Sequence, residues 1–266
     1  MMIRIGDVGQ QVSALQAKLN NAGANLEVDG WFGEATEKAV VRFQRQQGLM
    51  VDGIAGPATL ARLEPSGTEG ASKSLAEKDI KAAARKLAVQ VAAIKAVTEV
   101  ESRESGFLPS GRPVILFERH VMYRQLPAAT RDQAAENFPA LVNRKPGGYV
   151  GGESEWRRLQ RACAIDRNSA IESASWGLFQ IMGFHWQALG YASAADFSEA
   201  MHQNEGEHLE AFVRFIKQDS RLHKALKARD WQAFAERYNG PAYARNQYDT
   251  RMAAAYDRHR RLGRAA

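Results

Sequence analysis

The 266-residue chain holds a single cysteine, Cys163. One thiol forms no internal disulfide, which fits folding in a reducing cytosol and excludes a disulfide-stapled secreted scaffold. No local motif supplies Cys163 with a base, so it reads as a small, semi-buried side chain. No apolar run approaches the roughly 20 residues of a membrane-spanning helix. The opening Met1 to Gly9 lacks the apolar stretch of a signal peptide. The six histidines, His120, His185, His202, His208, His223 and His259, form neither H-E-x-x-H nor a cluster with ligand spacing. The expectation is therefore an enzyme without metal or cofactor. Strand-like alternation is sparse too; Pro113 to Phe117 is the best candidate.

What is present is ordinary in bulk and informative in detail. Hydrophobic residues make up 45% and charged residues 25%, enough for a sizeable core. The length allows one large domain or two smaller ones. The net charge of +6 draws the protein to polyanions such as an anionic cell wall, anionic lipid or nucleic acid. No nucleic-acid recognition motif accompanies that charge, so no nucleic-acid partner is expected. Arg251, Arg258, Arg260, Arg261 and Arg264 crowd the C-terminal segment. They read as a solvated helix end, or as contact with an anionic envelope.

The first 63 residues contain a repeat. Val28-Asp29-Gly30-Trp31-Phe32-Gly33-Glu34-Ala35-Thr36 and Val51-Asp52-Gly53-Ile54-Ala55-Gly56-Pro57-Ala58-Thr59 share V-D-G-x-x-G-x-A-T at an offset of 23 residues. Asp-Gly makes a tight turn, because Asp bonds nearby amides and Gly accepts positive φ. Pro57 suits the first turn of a helix. Val12, Leu15 and Leu19 form one helical stripe; Ala39, Val40 and Phe43 form a second, and Leu60 with Leu63 a third. The expectation is a three-helix module over residues 1–64. Asp29 and Asp52 are turn-makers first; with Trp31, whose ring suits a sugar face or a small core, they are the candidate ligand contacts.

Residues 65–75 are small, polar and Gly/Ser-rich, as a flexible tether is. Such a tether raises the local concentration of the second part near whatever the first part binds. Residues 76–266 read as a mostly helical domain with a short β segment. Helices are expected over Ala76 to Glu101 and around 153–165, 175–190, 195–218, 221–236 and 241–262.

Three carboxylates compete at the end of the first of these: Glu99, Glu101 and Glu104. Glu101 is four residues after Val97 and seven after Ile94, so it continues the apolar stripe, whereas Glu99 falls on another side. A carboxylate on an apolar face has a raised pKa, which is what a general acid needs at neutral pH. A structural carboxylate has the same signature, so position alone leaves the role open. Glu118 follows the apolar run Ile115 to Phe117. Ser175 and Gln180 lie in S-W-G-L-F-Q-I-M-G, and Tyr238 and Asn239 lie in Y-N-G-P-A-Y. Carboxylates, amides and aromatics together are the groups of a sugar site. Trp176 and Phe179 are expected in the core.

Two resemblances follow from these motifs. G-D-V-G-x-x-V-x-x-L-Q-x-x-L, V-D-G-W-F-G, F-Q-R-Q-Q-G-L and V-D-G-I-A-G-P-A-T resemble the peptidoglycan-binding domain of wall hydrolases. V-E-S-R-E-S-G-F, G-R-P-V-I-L-F-E-R-H, S-W-G-L-F-Q-I-M-G and Y-N-G-P-A-Y resemble the N-acetylmuramidase domain of modular phage endolysins, with echoes of goose-type lysozymes and lytic transglycosylases. The resemblance implies a lysozyme-like fold and cleavage of the β-1,4 bond between N-acetylmuramic acid and N-acetylglucosamine. The E-S-G-F string would favour Glu104 by analogy with transglycosylases. The endolysin pattern instead puts Glu101 in the catalytic place, with Glu118 as base or electrostatic partner and Ser175, Gln180, Tyr238 and Asn239 positioning the sugar. It also implies a monomer held in the cytoplasm of an infected cell until a membrane-permeabilising partner releases it to the wall. The basic C-terminal helix is a candidate contact for an anionic outer membrane. The alternatives are a lytic transglycosylase cutting the same bond, a wall amidase or peptidase, and a binding protein without catalysis.

Overall fold

The computed structural model describes residues 2–63, 73–102 and 105–265. Among these the architecture is mainly α, with one small antiparallel sheet. The N-terminal module contains α1 (Gln10–Asn21), α2 (Glu34–Gln46) and α3 (Pro57–Leu63). Val12, Leu15, Leu19, Val40, Phe43 and Leu63 close its core, together with Phe32. The two Asp-Gly turns are built alike. Asp29 Oδ1 accepts from Trp31 N and from the Gln16 amide; Asp52 Oδ1 accepts from Ile54 N and from the Gln44 amide. Gln16 Oε1 accepts from Gly30 N and Gln44 Oε1 from Gly53 N, with both glycines at positive φ. Each turn is thus locked by a buried glutamine one helix upstream.

The second part begins with α4 (Glu77–Leu87) and α5 (Val91–Glu101). The expected single helix over 76–101 breaks at Ala88, which adopts left-handed φ and ends α4. Strand β1 (Ile115–Phe117) follows, then α6 (Arg119–Gln125), α7 (Arg131–Asn137), α8 (Glu153–Cys163) and α9 (Arg167–Glu172). The helix expected around 175–190 does not form; β2 (Ala174–Trp176) and β3 (Ile181–Met182) make a hairpin there, followed by a 3-10 turn over Gly183–His185. The run Trp176-Gly-Leu-Phe-Gln-Ile-Met182 is mostly apolar, and periodicity does not separate a short buried strand from a buried helix. Strand β2 sits centrally, pairing Ser175 with Leu116 and with Met182. Then come α10 (Ala194–Gln203), α11 (Glu205–Gln218), α12 (Ser220–Ala228), α13 (Trp231–Asn239), a 3-10 turn over Pro241–Asn246, and α14 (Tyr248–Ala265). The segment expected as one helix over 195–218 is split at Asn204, whose side chain caps α11. The basic segment buries Met252, Ala255 and Tyr256, and α14 packs along α5. No described helix is long and apolar enough to cross a membrane.

The two parts are docked. Met50 joins the core of the second part, Arg112 Nε donates to Gly48 O at 2.6 Å, and Arg167 pairs with Asp52. Glu199 Oε2 accepts from Ala58 N at 3.0 Å. Residues 65–72 of the expected tether lie outside the described residues. Its last residues are held: Lys73 Nζ donates to Gly111 O and His202 O, and Leu75 N donates to Glu205 Oε2.

Candidate active site

Glu101 is the last residue of α5. Ile94 and Val97, on its stripe, are fully buried, and Glu101 is half-buried. Burial pushes its carboxyl up to about 7; the Asn239 amide and the Arg251 guanidinium pull the other way. Asn239 Nδ2 donates to Glu101 Oε1 at 3.0 Å. The neighbouring Tyr238 hydroxyl donates to Phe179 O at 3.0 Å, which ties the end of α13 to the β2–β3 turn. Glu101, Tyr238 and Asn239 therefore meet at one place. Glu99 lies on another face of α5, paired with Arg258 and His259. Glu104 lies outside the described residues.

The hairpin turn is held from within. Ser175 Oγ donates to Gln180 Oε1 at 2.7 Å, and Gln180 Nε2 donates to Gly177 O at 2.8 Å. Gln180 adopts φ +50, a conformation that costs a non-glycine residue energy and is held here by these bonds. Ser175 is buried, so it shapes the turn and is not presented to a ligand. Trp176 and Phe179 are core residues, 1% and 4% exposed.

Glu118 stands between β1 and α6. Its Oε2 accepts from the Tyr149 hydroxyl at 2.8 Å and lies 3.1 Å from His120 Nδ1. The hairpin turn reaches Val114 O through Gln180, and Glu118 is four residues further along the strand, about 13 Å at strand rise. The Glu118 carboxylate is engaged by the loop that carries Tyr149.

Two residues outside the sequence expectations organise the loop after Glu101. Glu205 Oε1 accepts from Gly106 N and Ser105 Oγ, at 2.7 and 3.0 Å. His208 Nδ1 accepts from Leu178 N, while its Nε2 lies 2.7 Å from Met201 O. Burial pushes His208 down to about 4, so the ring is neutral with its proton on Nε2. A Cβ at Gly106 or Gly177 would stand 2.5 or 2.7 Å from that ring. The two glycines thus let the loop and the hairpin close on His208. Long-range contacts of this kind leave no local mark. The glycines of E-S-G-F and S-W-G-L-F-Q were the only signal available.

In the N-terminal module Trp31 is 59% exposed, and Val8, Ile5 and Val28 are exposed with it. Asp29 is exposed, its carboxylate engaged in its own turn. Asp52 is not presented to a ligand: its side chain is 3% exposed and paired with Arg167 of α9. The first turn faces solvent while the second is spent on domain docking. Cys163 is partly buried and its thiol is pushed up to about 12 by burial, which makes it a poor nucleophile.

Beside Glu101 lies a cavity of about 350 Å³ lined by Glu99, Val100, Glu101, Ser102, Asn246, Tyr248 and Arg251. A half-buried carboxyl poised near neutrality at the wall of an open cavity can donate a proton to a bound group.

Both parts of the chain are similar to known proteins. A family model described as N-acetylmuramidase matches residues 90–260, and one described as a putative peptidoglycan binding domain matches residues 8–63. The crystal structure of a Burkholderia AP3 phage endolysin is similar over 98% of this chain and 100% of that one, with 50% identity and a TM-score of 0.70. A zinc D-Ala-D-Ala carboxypeptidase of Streptomyces albus G is 48% identical over 61 residues, 22% of this chain and 24% of that protein. The N-acetylmuramoyl-L-alanine amidase CwlM of Mycobacterium tuberculosis is 46% identical over 56 residues, 21% of this chain and 14% of its own length. The chain spans less than a quarter of the length of these two relatives.

Proposed function

The chain belongs to the N-acetylmuramidase family, and from that premise we propose that it cleaves the β-1,4 bond between N-acetylmuramic acid and N-acetylglucosamine in peptidoglycan, with Glu101 as general acid. The observation that carries this is the environment of Glu101: burial keeps its proton on near neutral pH, and Asn239 fixes one carboxyl oxygen. With Oε1 accepting from Asn239, Oε2 is the atom left to carry the proton toward the glycosidic oxygen. Tyr238 supports this by locking the end of α13 to the hairpin, and Gln180 by holding the turn. The N-terminal module presents the wall with its exposed first turn, Trp31 above all. Residues 1–64 and 76–266 are the binding and catalytic parts, and a monomer suffices for both roles. The exposed Arg258, Arg260 and Arg261 on α14 offer a contact for an anionic envelope. Storage in the cytoplasm and release through a membrane-permeabilising partner complete the reading.

The bond can be completed by water or by the sugar's own hydroxyl. Water gives a reducing end, as the family description implies. The second reading, a lytic transglycosylase, is favoured by one observation: of the residues that line the cavity beside Glu101, the one other carboxylate, Glu99, is paired with Arg258 and His259. A two-carboxylate hydrolase needs its partner at about 5–5.5 Å for retention or 6.5–9.5 Å for inversion. Mass spectrometry of digested peptidoglycan separates the readings. Reducing muramyl ends support hydrolysis, and anhydro ends overturn it in favour of transglycosylation.

A further inference from the structure

Arg251 is the cation of α14 that lines the cavity beside Glu101. Arg258 pairs with Glu99, and Arg260 with Asp257. Arg251 is exposed and pairs with no carboxylate among the described residues. Its guanidinium lies over the Tyr248 ring, 5.8 Å from the centroid. Stacking of that kind holds the plane of the fork and leaves its edge for a ligand. The residue stands in the first turn of α14, the end at which the helix dipole opposes a cation, so helix stability does not explain it. It lines the same cavity as Glu101, together with Asn246, and its charge is felt at the Glu101 carboxyl.

The two sugars of the proposed substrate differ in charge. N-acetylglucosamine is neutral, whereas the muramyl residue carries a lactyl ether ending in a carboxyl, free on bare strands and extended by an acidic peptide in the wall. We propose that the cavity beside Glu101 is a subsite for this acidic substituent, in which the Arg251 guanidinium receives a carboxylate edge-on and so selects muramyl-containing strands over neutral ones. The proposal rests on the reading that Glu101 acts at the muramyl bond. Guanidinium and carboxylate match as two parallel hydrogen bonds, stronger than neutral pairs. The bound carboxylate also neutralises the cation that pulls the Glu101 proton off. Binding therefore keeps the acid protonated to higher pH in the complex than in the free enzyme.

The test compares the full chain with its Arg251→Gln and Arg251→Lys variants on three soluble substrates. These are strands with stem peptides, strands stripped to free lactyl carboxylates, and stripped strands whose carboxyls are converted to methylamides. The wild type should favour carboxylate-bearing over amide-capped strands by about tenfold or more in kcat/KM, as expected for a hydrogen bond to a charged group. Arg251→Gln should flatten that preference, and Arg251→Lys should leave part of it. The basic limb of kcat should lie at higher pH than that of kcat/KM for the wild type on charged strands only, since the two report complex and free enzyme. Preference for peptide-bearing over stripped strands assigns the carboxylate to the peptide; the reverse preference assigns it to the lactyl group, whose carboxyl is tied up as an amide where a peptide is attached. An undiminished preference in Arg251→Gln, or none in the wild type, overturns the subsite while Glu101 keeps its role. Should Arg251→Gln not fold, an undiminished preference in Arg251→Lys overturns it equally. Full activity of Glu101→Gln instead sinks the underlying reading, and the subsite falls with it.

Discussion

Replacing Glu101 by Gln should remove activity and add stability, and the two effects should share one pH dependence. The Glu101 carboxyl is raised from 4.5 to about 7 in the folded protein, mainly by burial. Between those values the folded state binds a proton that the unfolded chain has lost. Stability therefore falls as pH rises from near 4.5 through 7, and is lower by a constant amount above that. A shift of that size is at most about 3 kcal/mol at 1.36 kcal/mol per pH unit. Gln carries no charge at any pH, and its Oε1 still accepts from Asn239. Glu101→Gln should thus melt with the wild type near pH 4 and above it at pH 8, by up to about 6–12 °C for a domain of this size. The activity limb runs the other way. Wild-type kcat/KM should halve near pH 7 and fall to about a tenth at pH 8, as the acid form is titrated away. Glu101→Gln should lose about 10²–10⁴-fold at pH 6, the usual worth of a positioned acid. Melting curves and turbidity assays across pH 4–9 measure both. A variant that keeps more than about a tenth of wild-type activity, or that gains no stability at pH 8, would refute the reasoning.

Two further outcomes follow from the same physics. Asn239→Ala removes the donor that favours the Glu101 carboxylate, so the basic limb of kcat/KM should move to higher pH while the rate at its plateau falls; an unmoved limb would separate Asn239 from the acid. Glu199, raised to about 7 by burial and by the nearby Asp52, faces Ala58 N, Gly56, Arg167 and Asp196 at the domain junction. Its folded pKa is raised, so it costs stability as pH climbs through 7, by about 3 kcal/mol at most. Glu199→Gln should raise the melting temperature at pH 8 and leave it unchanged near pH 4, and equal melting at pH 8 would contradict the burial argument.

Much of the site was legible because it rests on local rules. The stripe Ile94, Val97, Glu101 placed one carboxylate on the buried face of α5 and Glu99 on another, as observed. The Asp-Gly turns and the helices they feed were equally readable, since Asp and Gly dictate backbone angles by themselves. What stayed hidden depends on partners distant in sequence. Ala88 takes left-handed φ without a glycine or proline to mark it. The hairpin at 174–182 has an apolar pattern that fits a helix equally well. Glu205 and His208 act on residues about 100 and 30 positions away. The partner of the Glu118 carboxylate, Tyr149, lies 31 residues on in a loop that no local pattern of the sequence marks.

The repeat shows most sharply how identical local chemistry acquires different uses. Asp29 and Asp52 accept the same pair of bonds, from the amide two residues on and from a buried glutamine. The difference lies in what each turn meets. Beside the first stands Trp31, 59% exposed. Against the second lie Arg167, Glu199 and the core that takes in Met50. A duplicated turn can only serve both purposes if its own carboxylate is already satisfied within the turn; otherwise docking would leave a buried acceptor unpaired, at a cost of about 1–3 kcal/mol. The Gln16 and Gln44 locks meet that condition in both copies. Docking through the second copy also fixes the direction of the first. If the first turn contacts the wall as proposed, docking sets its direction relative to Glu101, whereas a tether alone would only raise the local concentration. The exposed copy is therefore free to vary toward its ligand, while the docked copy is constrained by Arg167 and Glu199 to remain what it is.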